Sequence, residues 1–237
     1  MTRARLRTRR SAFFLAAFAF AMVALIPLRI AAGWMGSGLT AREASGSIWL
    51  GVLKEARFGP VALGDVRARL NVLPLFLGRA RLSLSRAGEA GAPFEGAIAV
   101  SRHSFAIEDA TGTIRAAPAF APLPIAALDL SDLSARFADG LCESAEGQVR
   151  ATLAGELGGV ALPGGMSGAV RCAEGALLVP LASQSGMELV SLRLGADGSY
   201  RAEIVIRQSD PALAPRLAAA GFAATARGHT RRIEGHF

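Results

Sequence analysis

Val66-Arg67-Ala68-Arg69-Leu70 and, a few residues on, Ala80-Arg81-Leu82-Ser83-Leu84-Ser85 alternate apolar or small residues with polar ones at a period of two. Successive side chains of a strand point to opposite faces, so this alternation sends one set into a core and leaves the other in water. An amphipathic helix would need its apolar residues three and four apart. Working outward, Phe94-Glu95-Gly96-Ala97-Ile98-Ala99-Val100 repeats the pattern more loosely, and Thr113-Ile114-Arg115 closes another short run. Near the C-terminus, Leu189 to Leu194 and Tyr200 to Arg207 flank Gly195-Ala196-Asp197-Gly198 and read as a β-hairpin. A last strand is expected around Arg232 to Phe237. Helical signal is sparse. Asp210-Pro211 followed by Ala212 to Ala220 and Gly221 has the start and stop residues of a helix, which Pro215 keeps short or kinked. The expected fold class is therefore mainly β, an antiparallel sheet with few short helices. Pro118, Pro122 and Pro124 mark a break near 117–125. The expectation is two halves of one continuous sheet, with two small domains as the alternative.

The N-terminus is of a different kind. Arg3, Arg5, Arg7, Arg9 and Arg10 crowd into the first ten residues, and residues 11–28 then run SAFFLAAFAFAMVALIPL without a charge. As a helix, those residues would span about 27 Å, close to the roughly 30 Å hydrocarbon thickness of a bilayer. The expected layout is a cytoplasmic basic tail over 1–10, a single transmembrane anchor over 11–28, and an exported β-rich region over 29–237, oriented by the positive-inside rule. A cleavable signal peptide is the first alternative. It fits less well, because Ala19-Phe20-Ala21 lies inside the apolar run and the bulky Ile30 follows it. A twin-arginine signal built on Arg9-Arg10 is the second. All three export the remainder of the chain.

The formal net charge of +7 does not point to nucleic acid. The chain has 26 basic and 19 acidic residues, and six of the basic ones lie at or before Arg29. The region beyond is nearly balanced and alternates in sign, as in Arg42-Glu43 and Lys54-Glu55-Ala56-Arg57. A nucleic-acid module would carry its positive charge clustered on the folded domain. No nucleic-acid partner is expected, and the basic tail suits the inner-membrane lipid surface. Cys142 and Cys172 share similar contexts, Cys-Glu-Ser-Ala-Glu-Gly and Cys-Ala-Glu-Gly. An exported, oxidising location would join them as a disulfide, with two separate buried thiols as the alternative.

Residues for catalysis or cofactor binding are not apparent. His103, His229 and His236 lack metal-ligand spacing, so no metal and no cofactor are expected. There is no phosphate loop, dinucleotide fingerprint or nucleophile elbow, and Gly165-Met166-Ser167-Gly168 reads as a turn. Glu108 and Asp109 are adjacent carboxylates, which a regular strand would direct to opposite faces. Lys54, the sole lysine, falls in an exposed-looking strand. No catalytic residue is assigned, and the chain reads as a non-enzyme.

The densest cluster of unusual residues follows the anchor. Gly46-Ser47-Ile48-Trp49-Leu50-Gly51 reads as a strand carrying a large aromatic between glycines that permit close backbone approach. Trp49 is either a core residue, which the flanking glycines favour, or a contact residue for a partner. Leu73-Pro74 and Gly78-Arg79 follow, with Pro74 separating two strands. These residues, together with the basic anchor, the β-rich exported region and the closing strand at Gly235, resemble the type II secretion system protein N family, also called general secretion pathway protein N. Asn71 departs from the family, where an aromatic is expected before the proline segment. The resemblance implies an accessory, single-pass inner-membrane component with most of the chain in the periplasm and no known reaction. Gly46, Ile48, Trp49, Gly51, Pro74, Gly78 and Arg79 would be its structural or interaction residues. Partners would be other secretion subunits, the inner-membrane platform and the secretin among them. The competing expectation is an AsmA-like lipid-handling protein with an apolar β groove.

Overall fold

The structure is a computed structural model. It describes residues 39–58, 61–86, 92–115, 125–153, 156–157, 160–161, 164–207 and 212–236, with Phe14 and Phe18. The expected span over 11–28 lies outside the described residues apart from Phe14 and Phe18, which are helical and exposed. Among the described residues no helix is long and apolar enough to cross a membrane.

In chain order the first half holds β1 (Leu39–Thr40), β2 (Glu43–Ser47), β3 (Leu50–Phe58), β4 (Val61–Asn71), the one-turn helix α1 (Val72–Leu75), β5 (Ala80–Arg86), β6 (Phe94–Val100) and β7 (Ser104–Arg115). The second half begins with β8 (Ile125–Ala138), β9 (Leu141–Leu153), β10 (Glu156–Leu157), β11 (Val160–Ala161), β12 (Gly165–Ala169) and β13 (Arg171–Ala173). It ends with β14 (Ala176–Ser183), β15 (Glu188–Leu194), β16 (Ser199–Ile206), α2 (Ala214–Ala219), β17 (Ala223–Thr225) and β18 (Gly228–His236). The chain is thus mainly β, antiparallel, with few short helices.

Among the described residues, sixteen strands form one sheet, and β10 and β11 pair separately. The path β3-β4-β5-β6-β7-β8-β9 follows the chain without a crossover, and β14-β15-β16-β18 resumes it. Short connections make sequential strands neighbours. The sheet does not stop at the proline-rich break: β7 and β8 are paired from Ser104↔Ala138 to Arg115↔Ala127. One face is apolar. Leu53, Val66, Ala68, Leu82, Leu84, Val149, Leu192 and Ile204 belong to a core cluster that runs through both halves, while Arg67 and Arg69 between them are exposed.

The first half curls on itself. Ala62 at the start of β4 pairs with Arg115 at the end of β7, so β4 to β7 close at that end. Arg86 sits on the seam, donating from Nε to the Ala92 carbonyl at 2.7 Å, from Nη2 to the Thr113 carbonyl at 2.8 Å, and from Nη1 to the Leu63 carbonyl. A band of bulges lets the sheet bend. Register shifts fall at Leu53/Ala56, Glu95/Ala97, Ile107/Ala110 and Ser131/Ser134. An extra residue on one strand bends it and sharpens its twist. Glu55, Asp109 and Asp132 take positive φ there, and each amide is met by a side chain from the next strand: Asp65 Oδ1 at 2.9 Å, Ser134 Oγ at 3.0 Å and Thr111 Oγ1 at 3.1 Å.

α2 begins at Ala214, later than the Asp210-Pro211 signal suggests, with Pro215 in its first turn. Proline is tolerated there because its missing N–H has no helical partner to lose. Gly221 follows the helix with φ +82°, and Leu217 is fully buried.

Candidate interaction surface

Gly46, Ile48, Trp49 and Gly51 form the tip of the β2–β3 hairpin. Ser47↔Leu50 is the last pair, so Ile48 and Trp49 are a two-residue turn. This corrects the expectation of a strand through Trp49. Gly46 lies at φ +86° directly across from Gly51, and a Cβ on it would come 2.5 Å from the Leu50 carbonyl oxygen. Only glycine combines that φ with so close an approach, and the chain reverses instead of extending. The Leu50 amide donates to Ser47 Oγ at 3.3 Å. Ile48 takes the buried position and Trp49 is half-buried. The Leu70 amide donates to the Ile48 carbonyl at 3.0 Å, tying the hairpin tip to the end of β4.

Pro74, Gly78 and Arg79 lie in the β4–β5 connection, beside that same end. Pro74 is within α1, and its carbonyl accepts from the Leu77 and Arg79 amides, each at 3.0 Å. Gly78 has φ +71° with nothing within 4 Å of a would-be Cβ. Its role is to reverse the backbone, not to make room. The segment is apolar and outward-facing: Leu73, Phe76 and Leu77 are 81%, 84% and 80% exposed. Val72 and Leu75 are also exposed, and so is Arg79.

Next to these two connections the register builds one outer face from β2 to β5. Ser45, Val52, Arg67 and Ser85 form one rung across β2 to β5. On the next, Ser47 faces Leu50 and Arg69 faces Ser83. Leu50 and Val52 are exposed. Between the rungs lies an open depression of about 590 Å³ lined by Gly46, Leu50, Val52, Arg67, Arg69 and Asn71. Asn71 leaves α1 uncapped and donates instead from Nδ2 to Ser83 Oγ at 3.3 Å.

The other sequence candidates lie elsewhere. Cys142 on β9 and Cys172 on β13 are joined by a disulfide with a Cα–Cα distance of 5.5 Å. His103 Nδ1 is 3.6 Å from Asp139 Oδ1, both exposed, and Lys54 Nζ is 3.0 Å from Glu43 Oε2. Gly165-Met166-Ser167-Gly168 is strand β12, not a turn: it pairs with β9 and buries Met166. Glu108 and Asp109 do share a partner, contrary to the regular-strand expectation. The bulge at Asp109 (φ +52°) lets Arg81 reach Glu108 Oε2 at 2.6 Å and Asp109 Oδ2 at 3.9 Å. Among the described residues no three His, Cys, Asp or Glu side chains could hold a metal ion.

Two features were missed by sequence reasoning. Glu188 is buried and accepts from Ser183 Oγ at 2.7 Å and Ser185 Oγ at 2.9 Å, in the turn between β14 and β15. Arg86 has its pKa lowered, first by desolvation and then by the neighbouring positive charge of Arg115. Neither carries a local signature, since each depends on strands meeting in space. Asp197 in the β15–β16 turn has its carboxyl held below the usual range by hydrogen bonds from the Ser199 side chain and amide.

No curated protein and no solved structure matches the chain. A family model described as type II secretion system (T2SS), protein N, matches residues 37–231. That span takes in the β2–β3 tip, the β4–β5 connection and nearly all of the sheet. The chain belongs to the type II secretion system protein N family.

Proposed function

We propose that the chain is a non-enzymatic accessory component of the type II secretion apparatus, held in the inner membrane by residues 11–28 and working through the surface of its periplasmic β region. The observation that supports this is the exposed apolar cluster of Leu73, Phe76 and Leu77 in the β4–β5 connection, next to the end of β4 to which the β2–β3 tip is bonded, with no metal-binding cluster among the described residues beside it. The titratable groups nearby support the same reading. Arg42 with Glu55 and Lys54 with Glu43 make exposed ion pairs, which are worth only about 0–1 kcal/mol each and serve solubility more than chemistry.

The lipid-handling reading has one observation in its favour, a single sheet whose apolar face is continuous through both halves. Against it, Leu53, Leu82, Ile204 and Ile206 on that face are at most 2% exposed. A lipid groove would leave such residues open to a ligand.

The test is purification of the full chain from gently solubilised membranes, with secretion assayed in a deletion strain. Co-purifying platform or secretin subunits and impaired secretion are the expected outcome. Bound phospholipid with no secretion subunit would replace this reading with the lipid-handling one.

A further inference from the structure

We propose that the β4–β5 connection, Val72 to Arg79, is a membrane-interfacial knob that inserts its apolar tip among the lipids of an anionic bilayer surface. Five of its side chains are large and apolar, and the three at the tip, Leu73, Phe76 and Leu77, are at least 80% exposed. Water solvates that arrangement poorly, and a packed core has no use for it. The charge around it selects the occupant. From Val66 to Gly88 the chain contains five arginines and no acidic residue. Of these, Arg81 is paired with Glu108 and Arg86 is held in the seam. Arg67, Arg69 and Arg79 remain exposed, and Arg67 and Arg69 share the outer face with Leu50 and Val52. An apolar tip with a cationic collar matches the layering of a membrane: acyl chains below, anionic headgroups at the level of the guanidinium groups.

Chain length makes this compatible with the anchor. Leu39 pairs with Phe58 at one end of β3, and the knob lies beyond the other end, at Leu50. The nine residues of β3 span roughly 27 Å. Residues 29–38 can extend to about 33–36 Å, enough for the sheet to lie along the bilayer that holds the anchor. For the choice of that bilayer the inference rests on the anchored reading above. The lipid contact itself does not require that any secretion subunit be bound, so the two fail separately.

The experiment uses the full chain reconstituted in vesicles of phosphatidylethanolamine and phosphatidylglycerol. Phe76→Trp adds an indole whose emission is obtained by difference from the unsubstituted protein, and Met187→Trp, at an exposed site on the other half of the sheet, serves as control. Circular dichroism of each variant should match the parent, since both side chains are exposed. The residue-76 difference spectrum should be blue-shifted and quenched roughly twofold or more by brominated phosphatidylglycerol, with the residue-187 indole unquenched. Replacing Arg67, Arg69 and Arg79 together with Gln should reduce that quenching to about half or less. A water-exposed, unquenched indole at 76 would overturn the proposal. Equal quenching at 187 would do the same, by showing unspecific adsorption. So would a photo-crosslinker at position 76 that captured a protein partner in cells and no lipid.

Discussion

Arg86 joins Leu63, Ala92 and Thr113 through one guanidinium, three backbone carbonyls that no regular ladder brings together. Its fork geometry suits the task, and an ammonium would satisfy fewer of the three acceptors. Arg86→Ala should therefore destabilise the protein by about 2–4 kcal/mol, since hydrogen bonds to a charged group are worth roughly 1.5–3 kcal/mol each and are not additive. Denaturant titration measures this, and Arg86→Lys should recover only part of the loss. The two glycines of the candidate surface differ in a testable way. Gly78→Ala meets open space and should cost about 1 kcal/mol, the penalty of a left-handed conformation alone. Gly46→Ala adds a collision with the Leu50 carbonyl at 2.5 Å and should cost about 2–3 kcal/mol. Equal melting temperatures for the two variants would show that the hairpin tip relaxes around the added methyl.

At the scale of elements, the Leu70 amide bonds the Ile48 carbonyl and ties the β2–β3 tip to the end of β4, from which the β4–β5 connection leaves. The disulfide does the corresponding work in the second half. β13 is only three residues long and sits beside the main path of the sheet. Cys142–Cys172 ties it to β9, where the Cys142 amide also donates to the Gly175 carbonyl at 2.8 Å. With the cysteines 30 positions apart, the chain-entropy model puts the bridge at about 3.6 kcal/mol. The double replacement by serine should lose stability of that order. Thiol labelling of unreduced, denatured protein should find no free cysteine, whereas two labelled thiols would remove the bridge from the native protein.

At the scale of the whole molecule, an uncleaved anchor predicts that alkaline-phosphatase fusions after Gly78 are active and that the mature protein keeps its N-terminus; a soluble form beginning near Gly33 would contradict it. What the sequence alone determined was set by local repetition. Alternation at Val66–Leu70, Ala80–Ser85 and Leu189–Leu194 chose strands over helices, and short connections between successive runs made them antiparallel neighbours. The stop of α2 at Gly221, with its positive φ, follows from a signal present in the chain, whereas its start at Ala214 lies later than Asp210-Pro211 suggests. Only the tertiary structure decided where the sheet bends and what that bending brings together. Glu55, Asp109 and Asp132 adopt positive φ because a hydroxyl or carboxylate on the adjacent strand satisfies the exposed amide, and no single segment encodes that partner. Those bulges accompany the curl that pairs Ala62 with Arg115 and places Arg86 on the seam. They also put Glu108 and Asp109 on one arginine, which strand periodicity argues against. The outer face of β2 to β5 has the same origin. Its apolar and basic residues lie up to about 30 positions apart in the chain and become neighbours through register. Periodicity is a property of one strand, whereas register, bulge and closure are properties of strands in contact, and their energies exist only once the sheet has formed.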